Sequence, residues 1–386
     1  MKGFTNSLVY LNGGFYKKAV GIENGRIAYI GDDYSVITES LDNADCESYL
    51  VPGFIDEHVH GAGGSDAMDG TEKALKTISD TLVKEGTTSF LFTTMTASPE
   101  KTKTSLTAAD GFIEKYNKQE ENGTVTGARP LGVHLEGPFV NPVKCGAQPE
   151  EFILEPKICY LKDFLVKDGL VKMITVAPEL ADDGFIQYLK EKGITVSAGH
   201  TNATFEEFSA SVKEGVSCTT HTYNAMRAFT HRETGVIGGA ILTDVYNELI
   251  ADGIHVSYPA IRILFGMKSD KVILITDAMR AKGLSDGESE LGGQKVFVKN
   301  GEARLSDGTL AGSVLKMNVA IKNLVLKAGV PLETVIKSAT ENPARNLEIF
   351  ENTGSIEIGK NADLTLLSKN FDVLSVMIGG KTVFKA

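Results

Sequence analysis

The stretch Pro52-Gly53-Phe54-Ile55-Asp56-Glu57-His58-Val59-His60-Gly61 ends an apolar, β-prone run in two histidines one residue apart. Side chains alternate along a strand, so this spacing turns both imidazoles to one side and brings two neutral nitrogen donors together. Imidazole suits zinc, iron, nickel and copper alike, and the pair suggests a metal without choosing one. The plainer alternative is two polar residues closing a strand before a Gly-rich turn, which a two-residue pattern alone does not exclude.

Acidic and imidazole residues recur at the ends of later apolar runs. Glu136 closes Val133-His134-Leu135-Glu136-Gly137-Pro138, His200 closes Ser197-Ala198-Gly199-His200, and His221 opens His221-Thr222-Tyr223-Asn224-Ala225-Met226. Singly, Glu136 also reads as half of an ion pair, and each histidine as a hydrogen-bonded core residue. As a trio they are a His₂Glu set, which at catalytic zinc sites leaves a position for water. Asp277 ends the almost wholly apolar Val272-Ile273-Leu274-Ile275-Thr276-Asp277. A carboxylate there is costly without a partner, so it is a metal ligand, a proton carrier, or both. His255, in Ala251-Asp252-Gly253-Ile254-His255, either donates to an oxyanion or is a solvated loop residue. Arg232, after His231 in a polar loop, either forks onto a phosphate or is a solvated arginine.

The elements that must position these residues follow one grammar. Apolar strand candidates lie at 51–55, 89–93, 131–135, 173–176, 194–197, 217–220, 248–251 and 272–276. Helical patterns separate them, as at 71–85, where Ala74, Leu75, Ile78, Leu82 and Val83 share a face and Gly86 is a stop. Thr204-Phe205-Glu206-Glu207 reads as a capping box. Eight such units over about 250 residues suit a closed (β/α)₈ barrel, whose site lies at the C-terminal rim where distant residues meet. An open doubly wound sheet would favour a Gly-rich phosphate loop after its first strand, and neither of the familiar loop patterns occurs.

Both chain ends read as β. Short strands precede residue 52, two of them joined by the hairpin signal Asn24-Gly25. Strand character returns at 354–360 and 362–367, after helices expected at 314–328 and from Pro331. The expectation is a small β-sandwich domain from 1–51 and 351–386 around a 52–350 barrel, with a β-hairpin insertion near 291–310 turning at Asn300-Gly301.

Composition bounds the function. The 386 residues are 42% hydrophobic and 23% charged, with no apolar run of membrane-spanning length and no secretory leader pattern at the N-terminus, which suggests the cytoplasm. A net charge of −11 argues against nucleic acid or an anionic membrane as partner. Cys46, Cys145, Cys159 and Cys218 lack metal-site spacing and read as reduced packing residues.

At this density of motifs the chain resembles the amidohydrolase superfamily, and within it the branch that deacetylates amino-sugar phosphates. The resemblance rests on the blocks 52–64, His134-Leu135-Glu136-Gly137-Pro138, Ala198-Gly199-His200-Thr201, His221-Thr222-Tyr223-Asn224-Ala225-Met226, Ala251-Asp252-Gly253-Ile254-His255, Thr276-Asp277-Ala278, Leu310-Ala311-Gly312-Ser313 and Asn342-Pro343-Ala344. It implies a (β/α)₈ hydrolase with one or two divalent metal ions, zinc or iron, per subunit. One would be held through Glu136, His200 and His221, a second through His58 and His60. Some relatives carry Gln and Asn at the His-x-His positions and use one metal; here both histidines are present. The resemblance further implies substrate contacts from Gln148, Asn224, Ala225, His255 and Ala311, and a homodimer in which Arg232 reaches across to the neighbouring subunit's phosphate site. The residue chemistry agrees: a metal lowers the pKa of water and polarises a carbonyl, Asp277 moves the proton to the departing amine, and His255 holds the oxyanion for about 3–4 kcal/mol. The rivals are a dihydroorotase-like enzyme, which bridges two metals with a carbamylated lysine where this chain has Glu136, and a non-catalytic scaffold on the same barrel, which would have lost ligands.

Overall fold

The protein is seen here as a computed structural model that describes residues 1–42 and 47–386, so Cys46 lies outside the described residues. Eight parallel strands form the central sheet in chain order: β1 (Phe54–Val59), β2 (Thr87–Thr93), β3 (Arg129–Glu136), β4 (Val171–Val176), β5 (Thr195–Ala198), β6 (Val216–Thr219), β7 (Tyr246–Ile250) and β8 (Val272–Ile275). Helices between successive strands cover the outside, giving a (β/α)₈ barrel. Every residue of β1, β2 and β8 is buried, so none of them alternates between a core face and a solvent face, and β8 reads as a continuous apolar run.

Helix α1 (Glu72–Leu82) shows how sequence sets an element. Thr71 caps its N-terminus by accepting from the Ala74 amide, and Ala74, Leu75, Ile78 and Leu82 bury one face. Each large side chain so buried contributes about 1.5–3 kcal/mol. Gly86, at φ 90°, ends the turn that follows. The Thr204–Glu207 capping box opens the helix Phe205–Glu214 as expected.

Closure between β8 and β1 uses few ladder bonds. His58 O accepts from Asp277 N and Ala278 O from His60 N, each at 2.9 Å. Below them the Asp56 carboxylate substitutes for the ladder, accepting from Thr276 Oγ1 at 2.6 Å and from Thr276 N at 3.2 Å. A side chain therefore fastens the seam on which His58, His60 and Asp277 sit.

The run expected at 51–55 is divided. Val51 and Pro52 pair with Thr365 and Leu364 in a terminal sheet, whereas Phe54 begins β1. Gly53 makes the crossing because a Cβ there would lie 2.1 Å from the Thr88 side chain. Strands from both chain ends build two facing sheets, of six and four strands. Phe4, Val9, Val20, Ile22, Leu50, Leu364 and Leu366 pack between them as a small β-sandwich. Its Asn24-Gly25 turn has the two positive φ angles the hairpin requires, 50° and 78°.

Three expectations change. Residues 354–360 are turns rather than strand: Ile27 already pairs with Gly359 and Lys360 through single backbone bonds, and Ile358 is exposed. The hairpin near 291–310 is a three-stranded antiparallel sheet, Gly287–Leu291, Gln294–Lys299 and Glu302–Leu305, whose Leu291, Val296 and Val298 pack on Met95 and Ala311 beside the barrel mouth. The helix expected at 314–328 runs Met317–Asn323 and then widens into a π turn, Leu324–Ala328. No helix among the described residues is long and apolar enough to cross a membrane.

Candidate active site

The C-terminal ends of the barrel strands bring six of the expected residues to one place. His58 lies one residue inside the end of β1 with His60 just beyond it, Glu136 closes β3, and His200, His221 and Asp277 follow β5, β6 and β8. Glu136 is the hub. Its Oε1 lies 3.1 Å from His221 Nε2, 3.3 Å from His200 Nε2 and 3.5 Å from His58 Nε2, and its Oε2 lies 3.3 Å from His60 Nε2. Asp277 Oδ1 faces His60 Nε2 at 3.2 Å and His58 Nε2 at 3.5 Å.

These donors fit divalent cations. Ligands about 2.0–2.1 Å from a tetrahedral ion stand roughly 3.3 Å apart. The Glu136–His200–His221 edges are 3.1–3.3 Å, with the two imidazole Nε2 atoms themselves 3.1 Å apart. His200 Nδ1 donates to Lys144 O and His58 Nδ1 to Glu248, which leaves both Nε2 lone pairs facing inward. His58 Nε2 is buried with no hydrogen-bond partner. Glu136, His200 and His221 thus make one donor group, and His58, His60 and Asp277 a second. A third cluster, His58, His134 and Glu248, is not a site: both His134 nitrogens are engaged, by Glu57 O and by Thr175 Oγ1.

His200, His221 and Asp277 have φ angles of 46°, 30° and 47°. Each costs of order 1–3 kcal/mol in a non-glycine residue. The backbone bonds from His221 N to Glu248 Oε2 and from Asp277 N to His58 O hold two of these bends.

The electrostatics show one charge system. Burial would lower the His58 imidazole, but Glu248, Glu136 and Asp277 outweigh it and hold it up at about 9. Burial would raise Asp277, and His58, His60 and His221 instead bring it down to about 2. In the cation-free protein, then, protons on imidazole balance the carboxylates, and cation binding must release them. A raised histidine stabilises the fold fully below its unfolded pKa, near 6.5, and the benefit is lost as pH rises through about 9. Chelator-stripped protein should therefore lose melting temperature between pH 6.5 and 9, more steeply than cation-loaded protein. Parallel melting curves across that window would contradict this charge balance.

The cluster opens into a cavity of about 330 Å³ lined also by Gln148, Asn224, Ala225, His255 and Leu310. Gln148 is nearly spent on support: its Nε2 donates to Glu136 Oε2 at 2.8 Å and its Oε1 accepts from Thr96 N at 2.8 Å. His255 Nδ1 is 2.6 Å from Asp252 Oδ2. Burial would lower it, yet the Asp252 bond and charge raise it, which leaves Nε2–H free to donate. Ala311 is fully buried between cavity-lining Leu310 and Gly312. Arg232 does not join the cavity; it is exposed, as is nearby Phe229. Among the described residues lining the cavity, Lys144 brings the one ammonium group and no guanidinium is present.

The sequence reading missed Glu248, Asp56 and the Gln148–Glu136 bond. Glu248 carried a usable signal, an acidic residue inside the β7 run, of the same kind that marked Asp277. Of the cysteines, Cys218 is a buried packing residue, Cys145 is half-buried, and Cys159 is exposed rather than packed.

A (β/α)₈ barrel whose rim gathers four imidazoles and two carboxylates defines a class, and the amidohydrolase family pattern matches residues 49–383. The chain belongs to the amidohydrolase family of hydrolases. It is 42% identical over 371 residues to the N-acetylglucosamine-6-phosphate deacetylase of Bacillus subtilis, covering 95% of this chain and 92% of that one. The N-acetylglucosamine-6-phosphate deacetylase structure from Pasteurella multocida superposes with a TM-score of 0.91 at 31% identity, covering 99% of each chain. A mutant of the Mycobacterium smegmatis deacetylase in complex with N-acetyl-D-glucosamine-6-phosphate gives 0.86 at 29% identity, covering 100% of each.

Proposed function

We propose that this chain hydrolyses the acetamide of N-acetyl-D-glucosamine 6-phosphate, giving D-glucosamine 6-phosphate and acetate. The observation that carries the reading is the pair of adjoining donor groups, with Glu136 of the first facing His58 and His60 of the second, at the floor of a sugar-sized cavity. Glu136, His200 and His221 would hold one divalent ion, zinc or iron, and His58, His60 and Asp277 a second. Bound there, such ions supply Lewis acidity that activates water and polarises the amide carbonyl.

The chain's own residues supply the rest. Asp277, ionised and at the cavity wall, takes the proton from the attacking water and returns it to the amide nitrogen, which must leave as a protonated amine. His255 donates from Nε2 to the carbonyl oxygen as charge develops on it, and Asp252 holds that ring in place. Asn224 and Ala225 line the wall where sugar hydroxyls would lie, and Gln148 keeps Glu136 oriented. The phosphate needs cations, and Lys144 alone is a thin supply. Arg232, exposed beside Phe229 and outside this cavity, would serve the phosphate site of a partner subunit in a homodimer, and its exposure supports that reading. Cys145, Cys159 and Cys218 are free, which supports a reducing compartment, the cytoplasm.

Acetate release from N-acetyl-D-glucosamine 6-phosphate, lost on chelation and restored by zinc or iron, tests the reading. Ring-opening hydrolysis of cyclic ureides with no acetate release from the acetamido sugar would end it. Arg232→Ala should raise KM for the phosphorylated sugar about 10- to 100-fold, the loss of a charge-assisted hydrogen bond of about 1.5–3 kcal/mol, and leave KM for free N-acetylglucosamine nearly unchanged. Equal changes for both sugars would remove Arg232 from the phosphate site.

A further inference from the structure

Glu248 lies on β7, fully buried, and does not line the cavity. One of its oxygens, Oε2, accepts two hydrogen bonds, from His58 Nδ1 at 3.0 Å and from the His221 backbone N at 3.0 Å. Its own carbonyl accepts from Thr222 N at 2.9 Å. The residue therefore spans the barrel interior between β1 and the corner that carries His221, although β1 and β7 are not neighbouring strands.

The four imidazoles at the rim differ in what stands behind them. His200 Nδ1 has a neutral carbonyl, Lys144 O, and the Nδ1 atoms of His60 and His221 have no partner among the described residues. His58 alone is backed by a carboxylate. With Nδ1–H committed to Glu248, the His58 ring is fixed in rotation and tautomer. Its Nε2 lone pair then points at the space between Glu136 Oε1 and Asp277 Oδ1, 3.5 Å from each. A carboxylate behind an imidazole also makes the ring a stronger donor. His221 asks less of Glu248: its backbone N–H needs only an acceptor, charged or not.

We propose that Glu248 is the positioning residue that makes His58 a cation ligand, so that filling of the His58–His60–Asp277 position depends on it and filling of the Glu136–His200–His221 position does not. The inference rests on the reading that this centre holds divalent cations, and it adds the residue that sets how many are held. Glu248→Gln keeps an acceptor for both donors and removes the charge. Glu248→Ala removes both.

The test is zinc binding to stripped protein, counted per subunit by elemental analysis at buffered free zinc, with near-ultraviolet circular dichroism as the check on folding. Wild type should hold two ions. Glu248→Gln should weaken the second by about 10-fold with the first unchanged; Glu248→Ala should weaken the second by up to about 100-fold, as for other supporting groups behind metal-bound histidine, with any smaller loss at the first confined to this variant because it also frees the His221 backbone N–H. His58→Ala should leave the first ion in place and lose the second, and adding Glu248→Gln to it should lose nothing further. Visible absorption of the cobalt-substituted proteins should show the same single species in both. Two ions at wild-type affinity in both Glu248 variants, equal loss of both ions, or a single ion in wild type would each overturn the proposal. Wild type that binds two ions but releases no acetate would end the deacetylase reading and leave this one standing.

Discussion

Asp277→Asn is expected to lower turnover of the acetamido sugar phosphate about 10³-fold, within the 10²–10⁴ range of general acid–base contributions, while the fold and the Glu136–His200–His221 cation group persist. The amide keeps the shape and can still accept from His60, but it cannot take up a proton. Asp277 lines the cavity, its neighbours keep it ionised, and its backbone is locked between His58 O and Ser313 N. It is therefore held where a proton must be collected and handed back. Because the proton moves only in the transition state, kcat and kcat/KM should fall together and KM should hardly move. Activity within a few-fold of wild type would take Asp277 out of the proton-transfer role. A large rise in KM alone would make it a binding residue instead.

The parts of this molecule that were legible in its sequence are those decided locally. The barrel was readable because short stretches rich in buried apolar residues alternate with helical patterns, some with their own cap and stop, as at Thr71 and Gly86. The convergence of His58, His60, Glu136, His200, His221 and Asp277 followed from the barrel, since each lies at or near a strand end. What escaped depends on partners far along the chain. Glu248 acquires meaning only beside His58, 190 residues away, and Asp56 only beside Thr276, 220 residues away. The break at Gly53 was hidden for a related reason: apolar residues on both sides serve two different sheets, and what divides them is contact with Thr88. Residues 354–360 misled because their alternation of Ile and polar residues is a strand pattern, whereas the segment meets Ile27 only through single backbone bonds at Gly359 and Lys360 and otherwise turns.

The seam under the site carries the second large effect. Lys282 is fully buried, its Nζ 2.7 Å from Glu85 Oε2, and its charge also acts on buried Asp56. Burial raises both Asp56 and Glu85, and Lys282 is the cation that most opposes it at each. Lys282→Met should cost about 3–5 kcal/mol, because one substitution takes the nearest counter-charge from two buried carboxylates, leaving Glu85 only the weaker field of Lys316. Glu85→Gln should cost less, since Lys282 keeps Asp56. The sign of the pH dependence separates this from a packing defect. Without Lys282 both carboxylates bind protons more tightly in the folded than in the unfolded chain, so the folded state gains on acidification. The deficit of Lys282→Met in melting temperature should therefore shrink from pH 7 to pH 5. A deficit equal at both pH values would assign the loss to lost packing of the lysine stem. Asp56 also holds Thr276, one residue from Asp277, and accepts weakly from His58 N. A protonated Asp56 would loosen the hinge between the proton carrier and the His-x-His pair, so the same variant should bind its second cation more weakly than wild type at pH 7.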